Sequence, residues 1–120
     1  MANPSSTGSG TEVLRRYYKD GLAESSANLL TVTSNHLFII KTIIICERSD
    51  QADTFIDFSI TPAGQSAVKV GRFHCDSENT FIFDNPFVLD AGDVLSAVGA
   101  SAAGTAQYDL WITFIDQDWS

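Results

Sequence analysis

The chain has 120 residues, 44% of them hydrophobic and 18% charged, which matches a single globular domain able to bury its own core without disulfide or metal staples. Fifteen acidic against seven basic side chains leave a net charge of -8, which repels phosphate backbones and anionic lipid, so neither nucleic acid nor a membrane surface is expected as a partner. The longest apolar run, Leu37–Cys46, is about half the length a spanning helix needs and is interrupted by Lys41, so it reads as a buried strand.

Residues 1–11 (MANPSSTGSGT) are Ser, Gly, Thr and Pro with almost no apolar content, and the segment is expected to be an arm that a neighbouring subunit orders, with Pro4 and Thr7 among its contacts. It has neither a basic start nor an apolar stretch, so no secretory leader is read and synthesis is expected to end in a cytoplasm. Residues 12–120 form the second unit, a sandwich domain. Here short β-rich runs alternate with turn residues, and helix periodicity is nearly absent. Strands are expected near Val13–Lys19, Leu29–Thr33, Leu37–Glu47, Thr54–Thr61, Ala67–Cys75, Thr80–Phe83, Val94–Val98 and Gln107–Ile115, eight in all. In TFIDFSIT, Ile56, Phe58 and Ile60 alternate with Asp57, Ser59 and Thr61, one face inward and one in water. The polar stretches 47–53 (ERSDQAD) and 61–66 (TPAGQS) are loops. The fold class is all-β, an antiparallel eight-stranded sandwich of jelly-roll type.

The stretch PFVLDAGDVLSAVG, residues 86–99, is a short apolar strand, an acidic corner and a second apolar strand. Pro86 belongs at a strand start or edge because it has no amide to donate, and Gly92 can take the positive φ of a tight corner. Asp90 and Asp93 are suited to capping amides in that corner, a reading preferred over a calcium site built from Asp84, Asp90 and Asp93, whose spacing is irregular. A zinc site from His36, Cys46, His74 and Cys75 is disfavoured because His74 and Cys75 are adjacent in a strand and point to opposite faces. Cys46 and Cys75 are expected as buried thiols rather than a bridge. No nucleophile elbow, Walker loop or dinucleotide-binding glycine pattern occurs, so an enzyme is not expected and no cofactor is implied. Trp111, Trp119 and Tyr108 offer sugar-stacking rings if exposed.

The informative feature is surplus apolar surface. In Leu37–Cys46 both parities are apolar: Phe38, Ile40, Ile44 and Cys46 on one side, Leu37, Ile39, Ile43 and Ile45 on the other. In DLWITFI, Leu110, Ile112 and Phe114 oppose Trp111 and Ile115. A sandwich strand needs only one buried face, so the second must be covered, by the N-terminal segment folded back, by loops of the same chain or by another subunit, and for the last of these Ile39, Ile43, Ile45, Trp111 and Ile115 are the expected interface residues.

FIIKTIIICERSD, FIDFSITPAG and PFVLDAGDVLSAVGA, followed by a closing alternating strand, resemble small β-sandwich virion proteins of tailed bacteriophages over about residues 12–116. Lys41, Ile43, Cys46, Leu89, Gly92, Asp93, Leu95 and Ala97 match that pattern, and all are architectural. The family includes capsid decoration or cement proteins and tail or fibre-associated components, often trimers. The resemblance implies a virion structural role without a cofactor, on the capsid surface, with a homotrimer and the major capsid protein as partners. The alternative it leaves open is a tail protein that binds a host glycan.

Overall fold

The computed structural model describes residues 11–49, 54–75, 80–101 and 104–118. The described residues form nine strands: β1 (Thr11–Leu22), β2 (Ala27–Thr31), β3 (His36–Glu47), β4 (Thr54–Thr61), β5 (Val68–Cys75), β6 (Thr80–Phe83), β7 (Phe87–Leu89), β8 (Val94–Ala100) and β9 (Tyr108–Asp118). One sheet runs β1-β9-β3-β6, with β7 also on β3, and the other runs β2-β8-β4-β5. All pairings are antiparallel, and successive strands cross repeatedly between sheets, giving a jelly-roll sandwich. The strand beyond the expected eight is β7, three residues long, which begins directly after Pro86 and pairs with Phe38–Ile40. Strand β1 begins at Thr11, which pairs with Asp118, one residue inside the segment expected to be an arm. The remainder of that segment, with Pro4 and Thr7, and the ring of Trp119 lie outside the described residues.

The core fills the space between sheets through the alternation of strand side chains: Phe38, Ile40, Ile43 and Ile45 from β3, Ile56 and Phe58 from β4, Leu95 and Ala97 from β8, and Tyr108, Leu110, Ile112 and Phe114 from β9. The sequence of inward positions in β3 breaks between Ile40 and Ile43. The register with β9 shifts there, so that Thr42 faces Thr113 directly after Ile40 faces Phe114, and Lys41 is the extra residue of a bulge. An unbroken alternation would place Ile43 and Ile45 with Ile39, on the outside. The bulge turns them inward, where they are 2% and 0% exposed, so both belong to the core of their own chain and not to an interface.

The acidic corner is a structural device, as read. Val32 and Gly92 donate to Asp93 O and Val32 O at 3.0 and 2.9 Å, tying the corner to the end of β2. The Asp93 carboxylate accepts from the amides of Asp90 (2.9 Å) and Ala63 (3.1 Å), and Asp90 accepts from Ala91 N (2.8 Å). Gly92 has φ of 87°, and a Cβ there would meet the Ala63 Cβ at 2.7 Å. Gly92→Ala is therefore expected to cost about 1–3 kcal/mol in denaturant unfolding, from both the left-handed backbone and the contact.

The outer surface of the second sheet carries an ionic cluster. Arg72 donates from Nε and Nη2 to the Asp57 carboxylate at 2.7 and 2.9 Å, Lys69 Nζ lies 3.2 Å away, and the guanidinium covers the Phe55 ring at 4.0 Å. The hydrogen bonds from Arg72 come first among the effects that hold Asp57 below the usual carboxylate range. A carboxylate depressed on folding contributes stability above its unfolded pKa and loses it as pH falls through the folded value. Thermal melts from pH 7 down to about pH 2 are thus expected to show a steeper acid loss for the natural chain than for Asp57→Asn, with the difference developing below about pH 4.

Candidate functional site

The opposite outer surface, that of the β1-β9-β3-β6 sheet, is apolar. Its composition follows from parity: with Leu110, Ile112 and Phe114 of β9 buried, Trp111, Thr113 and Ile115 face outward, and pairing carries that assignment across the sheet. One cross-strand row is Tyr18, Trp111, Ile44 and Ile82, from β1, β9, β3 and β6. A second is Leu14, Ile115, Ile39 and Val88, from β1, β9, β3 and β7. Between them runs a polar row of Arg16, Thr113 and Thr42, with exposed Lys41 at the bulge. Leu14, Tyr18, Ile82 and Val88 are each more than half exposed, Trp111 is 43% exposed and Ile44 36%. Apolar side chains gathered into two cross-strand rows, as opposed to scattered singly, mark an interaction surface.

The face has internal order. The Tyr18 and Trp111 rings stack with centroids 5.9 Å apart and an interplanar angle of 18°. Arg16 lies over both, 5.0 Å from the Trp111 centroid and 5.5 Å from that of Tyr18. Its stem and guanidinium plane extend the platform while its charge stays in water. At one end, Arg48 binds the carboxylates of Asp20 and Asp109, and Asp109 also accepts from Gly21 N at 2.9 Å, which pins the end of β1 to β9. Asp116, by contrast, has the inward parity of Leu110, Ile112 and Phe114, and on that side of the sheet it accepts from Arg15 Nε at 2.8 Å and sits 2.6 Å from His36 Nδ1.

Of the residues expected at an interface, Ile39, Trp111 and Ile115 share this face, while Ile43 and Ile45 lie behind it in the core. Tyr108, a candidate sugar-stacking ring, is 0% exposed and donates its hydroxyl to Phe55 O at 2.8 Å, because its position at the start of β9 falls on the inward parity. Cys46 sits on the outer surface of β3 and Cys75 inside β5, on different sheets, and among the described residues no group of three or more His, Cys, Asp or Glu is placed to hold a metal. Sequence reasoning did not single out Leu14, Tyr18, Ile82 or Val88. The alternation of Leu14, Arg16 and Tyr18 is visible in VLRRYYKD, but nothing local says that these three face the same way as Trp111.

No family model matches the sequence, and no curated protein matches it. Among solved structures, a chain of the T13 particle of infectious bursal disease virus superposes with a TM-score of 0.52 at 9% identity, over 92% of this chain and 35% of that one. The chain thus spans about a third of the length of that viral chain. A xylan-binding CBM22-1 domain of Paenibacillus barcinonensis gives 0.46 at 11% identity, over 95% and 88% of the two chains. The Eiger TNF of S. frugiperda also gives 0.46, at 10% identity, over 89% and 91%. At such identities the likeness is one of fold: the protein is a jelly-roll β-sandwich, the architecture also found in a viral particle. Among the described residues no helix is long and apolar enough to cross a membrane.

Proposed function

We propose that the protein is a non-enzymatic virion structural protein of a tailed bacteriophage, a capsid decoration or cement protein that assembles as a homotrimer on the major capsid protein. The observation that carries this reading is the apolar outer face, two rows of four side chains each, on a chain whose other sheet carries the Asp57–Arg72–Lys69 ion cluster on its outer side. Burying three or four such side chains contributes roughly 1.5–3 kcal/mol each, enough to offset much of the cost of association. The net charge of -8 keeps unassembled subunits apart until a complementary surface is met. The Ser/Gly-rich residues before β1 supply a clasp to a neighbouring subunit.

The test combines sedimentation of the purified protein with binding to capsids that lack it. A trimer that occupies capsids at fixed stoichiometry, and binds more weakly once residues 1–10 are removed, is the expected result. A monomer that leaves capsids unbound overturns the reading.

A second reading, a tail or fibre component that binds host glycan, draws on the stacked Tyr18–Trp111 pair with its edge in solvent. It expects Trp fluorescence to change on addition of host polysaccharide and the change to vanish in Trp111→Ala. A decoration protein gives no such response.

A further inference from the structure

Resting on the reading that the apolar face receives a second copy of the chain, we infer that the orientation of that copy is set by an ion pair between Arg16 of one molecule and Asp84 of the other. Arg16 and Lys41 occupy the polar row between two apolar rows, and among the described residues neither has an ion-pair partner, although the chain carries fifteen acidic side chains. A cation enclosed in an apolar interface without a counter-charge opposes association, so whatever covers this face must bring a carboxylate to the middle row.

The chain itself presents one at the right height. Strand β3 pairs with β6 through Ile43 and Phe83 and with β7 through Ile40 and Phe87, so the connector 84–86 passes the sheet edge level with Lys41 and Thr42. Asp84 stands in that connector, exposed, with no hydrogen bond or ion pair among the described residues, and is flanked along the chain by Ile82 and Val88 of the apolar rows. The polar row therefore begins with a guanidinium on β1 and ends with a carboxylate at the β6–β7 edge. About three strand spacings, roughly 14 Å, separate them, too far for the two to pair within one molecule.

This polarity selects an orientation. If two copies meet with their β1 edges superimposed, Arg16 lies on Arg16. If the β1 edge of one lies against the β6–β7 edge of the next, Arg16 meets Asp84 while apolar rows still cover apolar rows. Lys41, one strand from the connector, adds to the same positive potential. The occupant identified by this charge complementarity is a second copy of the chain, placed with opposite sheet edges together, as in a closed ring.

Sedimentation of the natural chain, Arg16→Asp, Asp84→Arg and the double variant tests the assignment, with circular dichroism confirming that each exposed substitution leaves the sandwich folded. Each single reversal is expected to weaken association tenfold or more, because like charges then meet, and the double reversal to regain most of the loss. Association unaltered by either single reversal, or a double variant no better than the singles, overturns the ion pair while leaving an oligomer in place. A natural chain that stays monomeric at high concentration overturns the oligomer reading itself.

Discussion

Ile44→Asp is expected to dissolve the proposed assembly and leave the monomer folded, whereas Ile43→Asp, one residue earlier, is expected to unfold the chain. Ile44 lies 36% exposed at the centre of an apolar row, between Trp111 and Ile82. A carboxylate there stays hydrated in the free subunit and costs little, but it must be stripped of water in the interface. A loss of about 2 kcal/mol in association, roughly thirtyfold, is the scale for removing a central anchor. Ile43 is 2% exposed and faces the opposite sheet, so aspartate at that position is an unpaired buried charge, worth about 4–5 kcal/mol or more against a domain stability of about 5–15 kcal/mol. Equilibrium sedimentation reads the first effect and chemical denaturation the second. Similar behaviour of the two variants is incompatible with the bulge at Lys41.

The next largest effect is expected from Gly99→Ala, at a position where β8 passes over the ring of Tyr108. A Cβ built on Gly99 lies 2.3 Å from Tyr108 Cε2 and 2.9 Å from Cδ2. The ring cannot yield easily, since it is fully buried and its hydroxyl donates to Phe55 O at 2.8 Å. Overpacking at such a site is expected to cost about 3 kcal/mol in denaturant unfolding. Tyr108→Phe removes the hydroxyl that donates to that carbonyl and is expected to cost about 1–2 kcal/mol. Burial also pushes the Tyr108 phenol above its ordinary pKa. Its neutral form is the one the fold favours, so the stability it supplies is complete below about pH 10 and is lost as pH rises through the folded value. Tyr108→Phe is therefore expected to flatten the alkaline decline of the melting temperature.

Much of the architecture was legible because alternation is a local property. Ile56, Phe58 and Ile60 against Asp57, Ser59 and Thr61, or Leu110, Ile112 and Phe114 against Trp111 and Ile115, announce which side of a strand meets the core once a β-strand is assumed. The corner at Asp90–Asp93 was legible for the same reason: glycine at positive φ and aspartates that cap nearby amides act within a few residues of one another. Strand β7 was harder to separate from its corner. It has three residues, and what makes it a strand is the partner β3 supplies.

By itself, then, the sequence determined an acidic all-β domain with more apolar strand surface than one core can hide, since composition and period-two patterning are carried by neighbouring residues. Which apolar residues are surplus was decided only by the tertiary structure. A run in which both parities are apolar, such as Leu37–Cys46, contains no local signal for a bulge, and the one at Lys41 is defined only by the pairing of β3 with β9, whose register shifts there. That single extra residue sends Ile43 and Ile45 into the core and Ile44 out, and pairing across four strands then joins Ile44 to Tyr18, Trp111 and Ile82 from distant parts of the chain.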